Sequence, residues 1–166
     1  MTRLQDACES FECPFLPLPG HLNNSYQDII MPKRSTKYSA GYDFYALYDI
    51  VFNPGDRKVI PTGIKVKMNN NEYLAIFIRS SLGFKYNLRM CNQTGIIDAD
   101  YYNNKENEGH IFVCLQNESD QIITIKKGDR FVQGIFMPYL IVDDDTTDNM
   151  RKGGIGSTNK EGENNE

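Results

Sequence analysis

The sequence has little positive charge, little histidine and no closely paired cysteines, and these shortages exclude several kinds of site. Its 166 residues carry a net charge of −4, with a pI of about 5.2. Because no basic excess is available to neutralise a nucleic-acid backbone, a nucleic-acid-binding protein is disfavoured, although a small phosphate ligand would need only a few local cations. Four cysteines and two histidines, without a Cys-x-x-Cys pair, disfavour a zinc site and predict reduced thiols.

Long apolar runs are also missing. The N-terminal stretch "MTRLQDACESFECPFLPLPG" has scattered acids and no apolar segment of the kind found in signal peptides. The longest apolar stretch, "GIFMPYLIV", is far too short to span a bilayer. We therefore expect an intracellular protein without a membrane segment, and the length and the 40% hydrophobic content suffice for one domain with a core.

A long helical period is absent, and short strand signals separated by turns take its place. "KVIPTGIKVKM" alternates apolar Ile64, Val66 and Met68 with Lys65 and Lys67, which predicts a half-buried strand. Further strand signals are "YDFYALYDIVF", "EYLAIFIRS", "HIFVCLQN" and "QIITIKKGDRFVQGIFMPYLIV", the last broken at its Gly-Asp pair, whereas only "SSLGFKYN" predicts a short helix. The pattern is typical of an all-β barrel or sandwich.

Composition divides the chain into three parts. Residues 1–27 predict an N-terminal extension, residues 28–142 predict the β-barrel, and residues 143–166, rich in Gly, Ser, Thr, Asn and acids, predict a flexible C-terminal arm. Within the arm, "RKGGIGST" places two cations beside glycines and hydroxyls, which suit an anion because glycine amides can approach it closely. The Walker pattern is absent, so phosphate binding and a flexible linker both stay open.

Five short motifs combine carboxylates, cations and hydroxyls along the chain. "SAGYDF" places Asp43 at a strand start, "RSSLG" sets Arg79 beside two serines, and "NQTGIIDADYY" carries Asp98 and Asp100. "GDRFVQ" supplies Gln133, and "RKGGIGST" comes last. Each motif has an ordinary interpretation, such as a turn cap, a surface charge or a strand residue facing water. In this order on an all-β chain, they form a specific pattern.

With these motifs, about residues 28–160 resemble the trimeric dUTPase family, and "PKRSTKYSAGYDF" and "DADYYNNKENEGHI" resemble its branch in Firmicutes and their phages. The resemblance implies a distorted jelly-roll β-barrel, a homotrimer with shared active sites, and an arm that crosses over as a lid. It implies Mg²⁺-assisted hydrolysis of dUTP to dUMP and pyrophosphate, which limits uracil in DNA and supplies dUMP for dTMP synthesis. The expected place is the cytoplasm, or the host cytoplasm if a phage encodes the protein.

The resemblance also implies roles for individual residues. Asp98 is expected to activate the water that attacks the α-phosphorus and to contact the sugar 3′-OH, while Asp100 is expected to hold the turn. Tyr101 is expected to pack on the deoxyribose and to exclude a 2′-OH. Asp43 is expected to reach Mg²⁺ through a water, and Gln133 to contact the α-phosphate or the attacking water.

The remaining implied residues bind the two ends of the substrate. Those expected to read the uracil lie on a β-hairpin and are Asn92, through its side chain, and Gly95, Ile96 and Ile97, through their backbone. Those expected to bind phosphates are Arg79, Ser80, Ser81, Arg151, Ser157 and Thr158. Ile155 stands where the family has a phenylalanine that stacks on the base, so it is expected to cover the uracil without stacking.

Two other functions stay open on the sequence. A dCTP deaminase-like enzyme would resemble this chain in fold but would need a glutamate near the base. A regulatory binding protein would bind a repressor under nucleotide control, and the N-terminal extension is where such a protein partner would dock. An inactive relative is a third alternative, which only Ile155 favours.

Overall fold

Short antiparallel strands make up most of the chain. The computed structural model describes residues 3–6, 29–149, 151 and 153–155. The strands are β1 (Arg3–Asp6), β2 (Lys33–Arg34), β3 (Tyr42–Tyr45), β4 (Ile50–Phe52), β5 (Arg57–Pro61), β6 (Ile64–Lys67), β7 (Glu72–Ile78), β8 (Leu88–Met90), β9 (Gly95–Asp98), β10 (Phe112–Asn117), β11 (Ile123–Ile125) and β12 (Arg130–Pro138). Helix α1 (Ser80–Tyr86) follows β7, and a 3₁₀ turn (Ala99–Tyr101) follows β9. The described elements confirm the all-β prediction and the short helix.

The strands form four sheets, and every described pair is antiparallel. The largest sheet has the order β2-β3-β12-β7-β9, and a second has the order β5-β10-β8. Two-stranded sheets join β11 to β4 and β1 to β6. Because β9 ends the five-stranded order, one of its edges is free of strand partners within the described sheets.

Period-two alternation places one face of several strands in a single core. In β6 and the residue that follows it, Ile64, Val66 and Met68 are buried, as their alternation predicts. In β10, Val113 and Leu115 are buried while the residues between them are half-buried. Burial of a large apolar side chain contributes about 1.5–3 kcal/mol, so this shared core supplies the main stabilising term.

The segment "YDFYALYDIVF" is divided into β3 and β4, although its strand pattern is continuous. β3 pairs with β12, while β4 pairs with β11. β11 and β12 are themselves divided at the predicted Gly128-Asp129 turn, and that turn exchanges backbone hydrogen bonds with Ala46, at 2.8 and 2.9 Å. The turn between β11 and β12 therefore lies opposite the break between β3 and β4, and the two hairpin halves change sheet together.

The two terminal parts of the chain contribute differently to the described fold. β1, inside the predicted N-terminal extension, pairs with β6 in the register Arg3 to Lys67. At the other end, residues 143–149 carry no strand or helix. In the part of the chain that the structure describes, no helix is long and apolar enough to cross a membrane.

Candidate active site

A cavity of about 470 Å³ lies between β9 and the outer face of the β5-β10-β8 sheet. This volume falls in the range of small-molecule sites. The residues that line it are Arg57, Val59, Ile76, Met90, Cys91, Asn92, Gly95, Ile96, Ile97, Asp98, Tyr101, Phe112, Cys114, Arg151, Gly154 and Ile155. The structure thus brings the four residues expected to read uracil together with Asp98, Tyr101 and three residues of the arm.

The expected β-hairpin around the uracil-reading residues is not formed. β8 pairs with β10, and β9 pairs with β7, so the turn at residues 91–94 connects two different sheets. Gly95 allows the close packing of β9 on β7, because a Cβ there would lie 3.3 Å from Cβ of Ile76. The cavity therefore meets an edge strand, whose unpaired backbone groups are available to a ligand.

A network of asparagine side chains fixes Tyr101 in the cavity wall. The buried Tyr101 hydroxyl donates to the backbone oxygen of His110, at 3.1 Å, and accepts from Nδ2 of Asn107, at 2.6 Å. Nδ2 of Asn104 donates to Tyr101 O, at 2.8 Å, and to Oδ1 of Asn107, at 2.6 Å. Burial raises the pKa of Tyr101, so the phenol stays neutral and its ring position is rigid.

Asp98 and Asp100 both bind the arginine of the arm. Arg151 donates from one terminal nitrogen to Oδ2 of Asp98, at 2.6 Å, and from Nε to Oδ1 of Asp100, at 2.8 Å. The guanidinium also lies 5.7 Å from the centre of the Tyr101 ring. Asp100 was expected to hold its own turn, but the partner of its carboxylate in the described residues is Arg151. One cation from the arm therefore bridges the two close carboxylates and offsets part of their charge.

Glu106 holds the glycines of the arm. Its Oε2 accepts a hydrogen bond from the backbone N–H of Gly154, at 2.6 Å. A Cβ on Gly153 would collide with the same carboxylate, so glycine lets Glu106 approach the arm without shifting. Ile155 follows at the cavity lining and is largely exposed. These residues of the arm thus lie on the site of their own chain.

A second, more open cavity of about 630 Å³ lies on the other side of the Asp98–Arg151 pair. Its lining consists of Asn70, Tyr73, Ile96, Asp98, Ala99, Asp100, Tyr139 and Arg151. Arg151 is the cation among the described residues that line it. A highly charged anion bound there would need more cations than this part of one chain supplies.

Arg79 of the "RSSLG" motif belongs to a separate cluster around Asp43. The carboxylate of Asp43 is almost fully buried and pairs with Nε of Arg79, at 3.0 Å, and with Arg130, at 3.2 Å. Ser35 donates to the same carboxylate from its hydroxyl, at 2.6 Å. The expected water-mediated role of Asp43 toward Mg²⁺ stays a prediction, because both of its oxygens are engaged in orienting arginines.

Gln133 lies in the same cluster, directly opposite Asp43 in the β12–β3 register. Its side-chain oxygen fills the place that a Cβ of Gly41 would take, which explains the glycine in "SAGYDF". Ser80 and Ser81 occupy the first turn of α1, which begins directly after Arg79. Two of the residues expected at the phosphates, Ser157 and Thr158, lie outside the described residues.

The cluster around Asp98 and the cluster around Asp43 lie at opposite ends of β7. Asp98 pairs with Tyr73 near the start of this strand, whereas Arg79 comes directly after its end. Arg79 lies six positions after Tyr73 in the sequence, which corresponds to about 20 Å in extended chain. The arginine and serines of "RSSLG" therefore do not line the cavity that Asp98 lines.

Several residues of the site were not predicted individually from the sequence. The loop "YNNKENEG" supplies Asn104, Asn107 and Glu106, which hold Tyr101 and the arm, and only its richness in turn-forming Asn and Gly marks it. Arg57 and Cys114 enter the cavity wall through the pairing of β5 with β10. Strand register of this kind depends on residues far apart in the chain.

Comparisons with known sequences and structures identify the family of the chain. The sequence model of dUTPase matches residues 27–159. The chain belongs to the dUTPase family. A deoxyuridine 5′-triphosphate nucleotidohydrolase of Lactococcus lactis is 48% identical over 132 residues, which cover 78% of this chain and 88% of that protein.

Solved dUTPase structures share the fold. The dUTPase of Streptococcus mutans is 44% identical, with a TM-score of 0.64, and the match covers 68% of this chain and 88% of that one. A variant dUTPase from phage phi11 of S. aureus, which coordinates a structural Mg(II) ion, is 18% identical with a TM-score of 0.65, over 90% and 98% of the two chains. At that identity the likeness shows the fold alone.

Proposed function

We propose that this chain hydrolyses dUTP to dUMP and pyrophosphate, by attack of water on the α-phosphorus. The observation that carries the proposal is the convergence, on one cavity, of an unpaired strand edge, a fixed tyrosine and a carboxylate. These are the edge of β9, Tyr101 and Asp98. Such a hydrolase limits uracil in DNA and supplies dUMP for dTMP synthesis, in the cytoplasm or in that of a host cell.

The edge of β9 is suited to reading uracil. Among Gly95, Ile96 and Ile97, alternate residues direct their backbone N–H and C=O groups to the edge that the described sheets leave free. A fixed order of donors and acceptors distinguishes uracil from cytosine, because a mismatched base leaves buried polar groups unpaired. Asn92, in the turn before β9, adds a side-chain amide to the same cavity.

Tyr101 is suited to excluding ribonucleotides. Its hydroxyl is engaged with Asn107 and His110, so the ring cannot swing away from a bulkier sugar. A 2′-OH pressed against this ring would lose hydration without gaining a partner, which disfavours UTP. Selection by a rigid wall of this kind requires the surrounding hydrogen-bond network to stay intact.

Asp98 is suited to orienting and deprotonating the attacking water. It closes β9 and remains about half exposed, so a water and a sugar 3′-OH can reach its carboxylate. In the structure Arg151 occupies that carboxylate, at 2.6 Å. We infer that Arg151 turns from Asp98 to the substrate phosphates when dUTP binds, which frees the carboxylate for general-base catalysis.

The phosphate groups require a second chain. Arg79 lies about 20 Å along β7 from the strand position opposite Asp98, and the cavities beside Asp98 have few cations of their own. We propose a homotrimer in which Arg79, Ser80 and Ser81 of one chain complete the site of another. Asp43 then acts by orienting Arg79 toward the phosphates.

Magnesium fits this site as a companion of the triphosphate. Among residues 3–6, 29–149, 151 and 153–155, no group of three or more His, Cys, Asp or Glu side chains is arranged to hold a metal ion. Mg²⁺ usually keeps several waters and binds substrate phosphates, and so needs no such cage. When bound, it would neutralise phosphate charge, while residues of the protein orient the water and the nucleotide.

The two alternatives are weaker. No glutamate stands among the described residues that line the 470 Å³ cavity, although a dCTP deaminase-like reaction would need one near the base. A regulatory binding function under nucleotide control is not favoured, because the 48% identical relative is a nucleotidohydrolase. Hydrolysis of dUTP therefore remains the function proposed.

The first test compares wild-type protein with Asp98→Asn on dUTP, dCTP, dTTP and UTP in the presence of Mg²⁺. We expect pyrophosphate release from dUTP alone, and a loss of about 10²–10⁴ in rate in the variant, because the general base is removed. Unchanged circular dichroism would show that the fold is intact. Rapid release from dCTP, or full activity in Asp98→Asn, would contradict the proposal.

The shared site is tested by mixing two inactive variants, Asp98→Asn and Arg79→Ala, in one co-expressed preparation. In random trimers whose sites draw on two chains, about a quarter of the sites would combine an intact Asp98 with an intact Arg79. We therefore expect about a quarter of wild-type activity from the mixture and almost none from either variant alone. An inactive mixture of confirmed mixed trimers would show that both residues act within one chain.

A further inference from the structure

Two cysteine sulfurs lie side by side in the wall of the 470 Å³ cavity, and the proposed reaction uses neither. Sγ of Cys91 and Sγ of Cys114 are 3.1 Å apart, and both residues are half-buried. Cys91 follows the end of β8, and Cys114 lies in β10. The Cys91 N–H donates to the backbone oxygen of Cys114, at 2.9 Å, so the two residues extend the Met90–Leu115 register.

This placement is compatible with a bond between the two sulfurs. Residues directly opposite each other in an antiparallel pair have Cα atoms about 4.5–5.5 Å apart. A disulfide spans Cα separations of about 4.4–6.8 Å, with sulfurs about 2.05 Å apart. Closing the remaining gap of about 1 Å requires small side-chain rotations and no change in strand pairing.

The two thiols differ in their surroundings. Arg57 donates from Nε to Sγ of Cys114, at 3.2 Å, so a guanidinium lies directly beside this sulfur. Burial raises the pKa of the Cys91 thiol, so this residue stays protonated longer. One sulfur is thus disposed to attack an oxidant, and the other lies within reach to resolve the product.

We propose that Cys91 and Cys114 form a peroxide-sensitive dithiol site in the wall of the nucleotide pocket. The Cys114 thiolate attacks one oxygen of hydrogen peroxide, the O–O bond breaks, and the other oxygen leaves as hydroxide, which takes up a proton to become water. Sulfur of Cys91 then displaces hydroxide from the Cys114 sulfenic acid, losing its own proton, so the disulfide and a second water form. Two electrons pass from the sulfurs to peroxide, and a dithiol reductant reverses the change.

The position of the pair links it to the substrate, in the part of the inference that rests on the proposed function. Cys91 directly precedes Asn92, which is expected to contact the base, and both cysteines line the cavity. A nucleotide bound there covers the sulfurs. We therefore expect bound nucleotide to slow the oxidation several-fold.

The test uses the full chain with Cys8→Ser and Cys13→Ser, so that Cys91 and Cys114 are the only thiols. The protein is treated with hydrogen peroxide, with and without a saturating concentration of a dUTP analogue. In this analogue an NH group replaces the oxygen between the α- and β-phosphorus, so that it is not hydrolysed. Intact mass and a non-reducing tryptic map are then measured. Matched controls carry a third substitution, Cys91→Ser or Cys114→Ser.

We expect each chain to lose about 2 Da, and the peptides 90–105 and 106–126 to become linked. Dithiothreitol should reverse the link, and either control should abolish it. Oxygen addition without a link, a link between two chains, or no reaction at all would overturn the dithiol site. If the link forms equally fast with the analogue bound, Cys91 and Cys114 still form a dithiol site, but the cavity that they line is not the nucleotide pocket.

Discussion

His110 should make the folded protein sensitive to mild acid. Its ring is buried, Nε2 accepts the backbone N–H of Gly63, at 2.8 Å, and the ring packs on Phe112 with centroids 4.4 Å apart. Burial lowers the pKa of His110 from 6.5 to about 4. Below pH 6.5 the unfolded chain therefore takes up a proton that the folded chain refuses, so stability falls as pH falls from 6.5 to 4.

The size of this effect follows from the two pKa values. One pKa unit corresponds to about 1.36 kcal/mol, so the full difference of about 2.5 units amounts to about 3 kcal/mol once the pH is below 4. At pH 5 the unfolded residue is almost fully protonated and the folded one is not, which gives a loss of about 2 kcal/mol. A loss of that size is a large fraction of the stability of a typical domain.

The assay is urea unfolding at pH 7.5, 6.5, 5.5 and 5.0, at one protein concentration, with His110→Gln as the control. Glutamine can accept from Gly63 but does not titrate, so the difference between the two proteins isolates His110 from the carboxylates. With urea slopes of about 1–3 kcal/mol/M, we expect the wild-type midpoint to fall by about 1 M relative to the variant by pH 5. Parallel pH curves for the two proteins would refute the reasoning.

Two further predictions concern the arm. Glu106→Gln weakens a charge-assisted hydrogen bond to the arm that is worth about 1 kcal/mol. In the absence of nucleotide, trypsin should therefore cut the variant after Arg151 about fivefold faster than the wild type. The nearby control Glu108→Gln should not change the cleavage rate. Equal rates in both variants would mean that Glu106 does not hold the arm. Ile155→Phe should lower the KM for dUTP about two- to tenfold, because a ring can stack on the base. The control Ile122→Phe, outside the cavity lining, should leave KM unchanged, and an unaltered KM in Ile155→Phe would show that this position does not cover the uracil.

The strands and the core were predictable because alternation is a local property. Within five residues of sequence, the alternation of Ile64, Val66 and Met68 indicates the buried face of β6 and of the residue that follows it. The break between β3 and β4 was not predictable in this way, since it is imposed by the turn at Gly128-Asp129 on partner strands some eighty residues away. A continuous strand pattern does not reveal where its partner bends.

Some residues of the candidate site were predictable from the sequence, but their arrangement was not. The motifs identified Asp98 and Tyr101, which the structure places on one cavity. They did not show that Arg151 binds Asp98 and Asp100, or that the expected hairpin is a connection between two sheets. Contacts of this kind depend on which strand ends meet, and a single sequence without its register does not contain that information.

The free edge of β9 has a consequence for the solubility of the protein as well as for base recognition. An exposed strand edge invites pairing with a strand of another molecule, which is a common route to aggregation. Here Arg151, Gly154 and Ile155 of the arm line the same cavity as β9. We therefore expect the arm to serve the edge of β9 as well as the nucleotide site. Loss of the arm would leave both the cavity and this strand edge more accessible to other chains.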